Sequence, residues 1–480
     1  MAAPTKDAYL AYLEAAVERR RLPGLAAQVT RGGETLFTAG VGLADREAGR
    51  PVTPNTIFGV GSITKSFTAL AVMQLADAGA LRVDDAAADY LPALARSANR
   101  DYERITLHHL LTNTSGLPPL PYLARALARS VMADPARELI GLKAEDYRAP
   151  LDTVDELVEA LADAATPLVR PPGTIFSYSN DGFAMLGRVV EVVSGLGYEA
   201  YVRERILTPL GMTRSLFAAA ELAAHDDVTE LYSYVGGFER VERTPGWWEA
   251  SAMTSAGFLK STAADMTRYA AVYLGERPDV ISPAALAQMT SPHARTGPER
   301  WYGYGVMVQP DYRGRKLVEH GGNIKGVGAW FGAVTGVGVP GVGVPGGGSP
   351  AGGVTSVVLA NITGGPVAEL ALGGVNLALG APLDARRVTF AATPDLTDEQ
   401  LERFAGVYRS AEGTQVTVGR HADGKLSVRV NKDELPTRAV SDSALLLDLN
   451  GQDALVEFIE PTPAGFAAVT FGYRVLERQA

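Results

Sequence analysis

Phe58-Gly59-Val60-Gly61-Ser62-Ile63-Thr64-Lys65-Ser66-Phe67 sets a serine and a lysine three residues apart where an apolar-periodic helix begins. Thr56 to Gly61 reads as a short extended entry whose glycines let the backbone turn tightly. Phe67, Leu70, Ala71, Met73, Gln74 and Leu75 then recur at helical spacing until Ala78-Gly79, a helix stop. At this spacing both side chains project from one helical face, so the amine reaches the hydroxyl and a serine nucleophile is activated without histidine. A helix N-terminus also offers unpaired N–H groups and the positive end of the dipole to a developing oxyanion. Ser62 on its own reads equally as a plain N-cap, but this is the only Ser-x-x-Lys in the chain.

Two further stretches bear on the choice. In Pro171-Pro172-Gly173-Thr174-Ile175-Phe176-Ser177-Tyr178-Ser179-Asn180 a turn leads into the chain's only Tyr-x-Asn, followed by Phe183, Met185, Leu186, Val189 and Val190 at helical spacing. A phenol beside a lysine ammonium has its ionised form favoured and can take or relay a proton; taken alone, Tyr178 is a loop tyrosine on the surface. In Val318-Glu319-His320-Gly321-Gly322-Asn323 an apolar strand ends in small residues, against which a substrate backbone can lie, and the Asn323 N–H is a second oxyanion donor.

In the order Ser-x-x-Lys, Tyr-x-Asn, His-Gly-Gly, the chain resembles the serine β-lactamase and penicillin-binding-protein superfamily, in its class C-like branch of esterases and D-aminopeptidases. Ile105 to Leu117, Leu210-Gly211-Met212 and Ser255 to Met266 carry the likeness between the motifs, over about residues 5 to 375. The resemblance implies Ser62 as nucleophile, Lys65 as its partner, Tyr178 as general base and Asn180 as a substrate-side hydrogen-bonding group. It makes His320, Gly321, Gly322 and Asn323 the substrate-binding strand, with the N–H groups of Ser62 and Asn323 as the oxyanion hole. Penicillin-recognising members carry Lys-Thr-Gly or Lys-Ser-Gly at the third motif; neither occurs here. An imidazole at His320 is mostly neutral at neutral pH, so the cation for a substrate carboxylate is weakened, against efficient β-lactam turnover.

The implied function is a serine hydrolase acting through an acyl-enzyme on small esters, D-amino-acid amides or short peptides. The alternatives are a protein that binds penicillin or a cell-wall fragment with little turnover, and a weak β-lactamase or DD-peptidase. A Ser-His-Asp triad using His320 is the mechanistic runner-up. No Gly-x-Ser-x-Gly, His-Glu-x-x-His or cysteine cluster is present, so neither a nucleophile elbow nor a metal site is expected, and His108-His109 reads as a helix cap or packing pair. Gly-x-Gly-x-x-Gly matches at Gly336 to Gly341 and Gly341 to Gly346 contain prolines and open no helix, so no nucleotide cofactor is expected. They belong to a tandem Gly-Val-Gly-Val-Pro repeat, read as an extended, flexible hairpin loop over 336–353 between the strands Ala329–Val334 and Thr355–Ala360.

A net charge of −10 without a long basic run argues against nucleic-acid and anionic-membrane partners. No membrane span is read, homo-oligomerisation stays open, and the N-terminus, amphipathic from Thr5 onward, has no signal-peptide form, giving cytoplasm as the expected compartment. The fold class is α+β: residues 1–385 form a β-lactamase/transpeptidase-like three-layer unit, antiparallel sheet flanked by helices, with a helical region at about 80–250 and the cleft at the seam. A linker at 386–395 precedes a small antiparallel barrel at 396–480. There, short alternating runs such as Thr414–Val418, Leu426–Val430, Ala444–Leu447 and Leu455–Phe458 are separated by turn residues, and Phe404-Ala405-Gly406-Val407-Tyr408 resembles the opening of lipocalin-like C-terminal domains. The barrel either narrows the active site or serves stability or oligomerisation.

Overall fold

Alternation along the strands builds the larger part of the molecule. In the strand Gly24–Arg31, Leu25, Ala27 and Val29 enter one core while Ala26 enters the other; in Val354–Ala360, Val358 and Ala360 part from Val357 and Leu359 in the same way. A sheet apolar on both faces has to be covered on both. In the computed structural model, which describes residues 4–335, 352–388, 390, 396–421, 423–449 and 452–479, it is. The antiparallel sheet runs, edge to edge, 50–51, 34–45, 24–31, 354–360, 327–334, 315–324, 307–312, 300–302 and 294–297. The helices Lys6–Arg20 and Val367–Leu379 cover one face through Tyr9, Leu13, Leu370 and Val375. Phe67 and Leu70 of helix Thr64–Asp77 and Tyr269 of helix Ala263–Ala270 pack with Phe331 on the other.

Between residues 80 and 250 the chain is mainly helical, with Leu123–Ala133, Val154–Asp163 and Asn180–Ser194 as its longest helices, and it adds the hairpin Tyr232–Val235/Arg240–Arg243. His109 serves as a cap: its side chain accepts from the Thr106 amide while Thr106 caps His109. The repeat loop read at 336–353 falls mostly outside the described residues, as does most of the linker; the strands Val327–Val334 and Val354–Ala360 on either side pair antiparallel as expected.

From residue 406 onward, nine antiparallel strands run in the order 433–435, 426–430, 415–420, 406–409, 474–478, 465–471, 452–462, 444–449 and 437–441. The end strands of this order are consecutive in the chain, so the sheet curls into a nearly closed barrel around Phe404, Tyr408, Val428, Phe458, Val469 and Leu476. The helix read after Leu396 spans Asp398–Glu402, capped by Thr397. Among the described residues no helix is long and apolar enough to cross a membrane.

Candidate functional site

Ser62 is presented by a turn that only glycine permits. The strand Phe58–Gly59 pairs with Lys260–Ser261, and Gly61, at φ +52°, turns the chain into a single 3₁₀ turn before helix Thr64–Asp77. Thr64 Oγ1 ties the elbow, donating to Gly61 O (2.7 Å) and accepting from Leu259 N (3.2 Å). Ser62 therefore stands just ahead of the helix, and Lys65 lies in its first turn, fully buried.

Lys65 Nζ makes three polar contacts: Ser62 Oγ at 3.1 Å, Asn180 Oδ1 at 2.7 Å and Ala256 O at 2.6 Å. Two of these are carbonyl oxygens that can only accept. They take the two N–H bonds of a neutral amine and leave its lone pair for the Ser62 hydroxyl. Burial favours that state, lowering the amine to about 7 against the opposing pull of the Asp181 carboxylate.

Tyr178 precedes helix Asn180–Ser194, and Asn113, itself at φ +55°, clamps it from both sides by accepting from Ser177 N (2.8 Å) and, through Oδ1, from Ser179 N (2.9 Å). Its ring lies 4.9 Å from Lys65 Nζ. The sequence suggested that the lysine would favour the ionised phenol. Instead, burial raises the Tyr178 hydroxyl well above its ordinary value, outweighing the Ser62 hydroxyl that favours ionisation. Burial thus favours the neutral form of both groups, the amine and the phenol.

His320, Gly321, Gly322 and Asn323 lie in the strand Arg315–Ile324, packed against the Ser62 elbow. A Cβ on Gly322 would sit 1.9 Å from Val60 O and 3.0 Å from Ser62 N, and one on Gly61 would sit 2.7 Å from Asn323 N. This close approach sets the Ser62 and Asn323 amides side by side. His320 Nδ1 is 2.6 Å from Gly321 O, a carbonyl that can only accept, so Nδ1 carries the proton and Nε2 accepts from Tyr302 Oη at 3.2 Å. Burial, with Lys65 nearby, lowers the imidazole to about 3. His320 is thus a neutral ring with both nitrogens engaged, and neither faces Ser62 as a base.

Seven of the eight residues singled out in the sequence line one cavity of about 1650 Å³, and the eighth, Lys65, is buried behind it in contact with Ser62 and Asn180. Other contributors escaped sequence reasoning. Tyr302 engages His320 Nε2, Ala256 offers only a backbone carbonyl, and Asp181 is a buried carboxyl group in the first turn after Asn180. Tyr473 arrives from the barrel. Phe471 pairs with Arg474, leaving Gly472 and Tyr473, both at positive φ (+57° and +66°), as a two-residue I′ turn that enters the cavity. Its ring stands 6.3 Å from Tyr178 and 5.9 Å from Phe176.

Ion pairs hold the barrel over the cleft. Arg170, next to the Pro-Pro-Gly turn, meets Glu460 at 2.8 Å and Glu477 at 2.5 Å. Arg295 meets Glu457 at 2.8 Å. Glu319, the neighbour of His320, is held by Arg300 (3.0 Å) and by Arg387 from the segment leading to the barrel.

These features agree with what the chain is similar to. "Penicillin-binding protein 4" of Amycolatopsis lactamdurans is 30% identical over 56% of this chain, which spans 65% of that relative's length. "Esterase EstB" of Burkholderia gladioli is 33% identical over 67% of this chain and 85% of its own. The octameric penicillin-binding protein homologue from Pyrococcus abyssi aligns over 98% of this chain and 99% of its own, barrel included, with a TM-score of 0.68 at 27% identity. The Beta-lactamase family model matches residues 11–379, more than half of the sequence, and the chain belongs to the Beta-lactamase family.

Proposed function

We propose that this protein is a serine hydrolase that forms an acyl-enzyme at Ser62 on small esters, D-amino-acid amides or short peptides. The observation that carries the reading is the Lys65 amine, buried, lowered to about 7 and 3.1 Å from Ser62 Oγ, with its two N–H bonds engaged by carbonyls.

Neutral Lys65 accepts the Ser62 proton as Oγ bonds to the substrate carbonyl carbon. The oxyanion forms between the amides of Ser62 and Asn323. Tyr178, kept as a neutral phenol, passes a proton to the departing alkoxide or amine as its own is replaced from Lys65, and the acyl carbon–heteroatom bond breaks. Water, deprotonated by the same pair, then releases the acid and restores Ser62. With its Oδ1 held by Lys65, Asn180 offers its amide N–H₂ to the substrate. The esterase among the relatives supports ester hydrolysis. The neutral His320 disfavours substrates that rely on a fixed cation at that position, as β-lactams with their carboxylate do.

Intact-protein mass spectrometry after a fluorophosphonate probe tests the reading, alongside turnover of p-nitrophenyl acetate and D-alanine p-nitroanilide, each with a Ser62→Ala control. Serine-dependent labelling and hydrolysis that falls by about 10⁴-fold or more in Ser62→Ala are expected. Hydrolysis retained in that variant overturns the assignment.

A further inference from the structure

Three chain segments join the three motifs, two by a hydrogen bond and one by direct continuation, and each carries apolar side chains into the same cavity. Asn180 N donates to Pro119 O at 3.3 Å, and the chain from Pro119 continues through Leu123 into helix Leu123–Ala133. Ala256, the carbonyl partner of Lys65, follows Trp248 and Met253. Asn323 is followed at once by Ile324. Leu123, Leu142, Trp248 and Ile324, all half-buried, line the cavity with Ser62, on the side formed by the helical region.

A buried charge cluster holds this wall in place. Asp134, just past the end of helix Leu123–Ala133, accepts from Ala136 N (2.8 Å), Trp248 Nε1 (2.6 Å) and Lys325 Nζ (2.5 Å). Lys325 also donates to Pro245 O (2.9 Å) and stands 5.5 Å from the Trp248 ring. Its side chain and that of Asp134 are 2% and 1% exposed. One carboxylate thus fastens the helical region, the Trp248 loop and the residue following Ile324 to each other. An ion pair removed from water gives little net stability, but it fixes geometry. Here it fixes the position of apolar side chains that rest with one side on the main core and leave the other open to the cleft.

We infer that this wall is the acyl subsite and that it takes an unbranched or weakly branched apolar acyl chain longer than acetyl, with Trp248 and Leu142 setting how far the chain extends. The inference rests on Ser62 being the acylated residue and names the substrate class of that site. The acyl chain, bonded to Ser62 through its carbonyl, passes from the oxyanion amides along Ile324 toward Trp248, whereas the leaving group faces Tyr473 and the barrel.

The test is the second-order rate of Ser62 labelling by p-nitrophenyl alkylphosphonates with methyl, butyl and hexyl groups on phosphorus, read by intact mass so that turnover is not required. The rate is expected to rise about 3-fold per methylene, under the roughly 4-fold limit of complete burial. That gain should shrink below about 1.5-fold per methylene in Trp248→Ala, and again in Leu142→Ala, which disturbs no hydrogen bond. A flat or falling series in the wild-type protein overturns the subsite while leaving the nucleophile standing. A slope retained in both variants but lost in Tyr473→Ala places the chain under the barrel and equally overturns it. Absence of labelling by every probe removes the nucleophile and the subsite together.

Discussion

The backbone N–H of Tyr178 donates to the carbonyl of Tyr473, 3.2 Å away, tying the residue before the Asn180–Ser194 helix cap to a hairpin tip of the barrel. The cavity wall on that side is shared, Phe176 and Tyr178 coming from the larger unit and Tyr473 from the barrel. Tyr473 adopts a left-handed conformation that costs a non-glycine residue about 1 kcal/mol or more.

Tyr473→Gly should therefore stabilise the turn while opening the cleft. The expected result is kcat/KM for esters of bulky alcohols raised by about 5-fold or more, p-nitrophenyl acetate changed less than about 3-fold, and an equal or higher Tm. A loss of activity on all substrates alike would show that the ring takes part in the chemistry rather than bounding it.

Gly322→Ala is expected to be far more damaging than its size suggests. The new methyl would meet Val60 O at 1.9 Å and Ser62 N at 3.0 Å, and both are backbone atoms with no rotamer to retreat into. Fluorophosphonate labelling should fall by about 100-fold or more, consistent with loss of an oxyanion amide, while circular dichroism stays close to wild type.

The pH dependence follows from Lys65. With the neutral amine as the proposed base, kcat/KM should climb with pH through a limb at about 7. The folded chain holds this amine neutral where the unfolded chain, at an ordinary 10.5, still binds the proton. More protons are bound in the unfolded state between about pH 7 and 10.5, so the Lys65 contribution to stability rises with pH across that window. Lys65→Met should be inactive yet melt higher by roughly 5 °C at pH 7, with the gap closing toward pH 10. An equal or lower Tm at pH 7 would contradict the burial argument.

His320→Lys separates the mechanisms. A triad that uses imidazole would die. With Lys65 as base, activity persists, and a second ammonium near Lys65 moves the acidic limb below pH 7. KM for substrates bearing a carboxylate should fall.

Asp134→Ala leaves the Lys325 ammonium buried without its partner, and a cost of about 3–5 kcal/mol is expected by chemical denaturation. Asp134→Ala/Lys325→Met should recover much of that, because the charge is removed rather than stranded.

Much of the site was legible because its groups are local in sequence. Ser62 and Lys65 share one helical turn, Tyr178 and Asn180 bracket a helix cap, and the two glycines before Asn323 announce a close backbone approach. The alternating runs after Leu396 announced strands, and the barrel formed from them. Two things were hidden. The proton affinities of Lys65 and Tyr178 depend on how deeply the fold buries them, which spacing does not reveal. Tyr473 and Trp248 look like any turn or loop aromatic; only folding brings one of them 295 residues along the chain to Tyr178.

A roof borne on a two-residue hairpin also divides the labour of change. The atoms that break bonds are locked by glycines, caps and buried carbonyls, where nearly any substitution is punished. At the Gly472-Tyr473 tip it is only the backbone carbonyl of residue 473 that bonds Tyr178, so the side chain there can be exchanged while that bond is kept. New selectivities can thus be tried on this scaffold one turn at a time, with the chemistry left untouched.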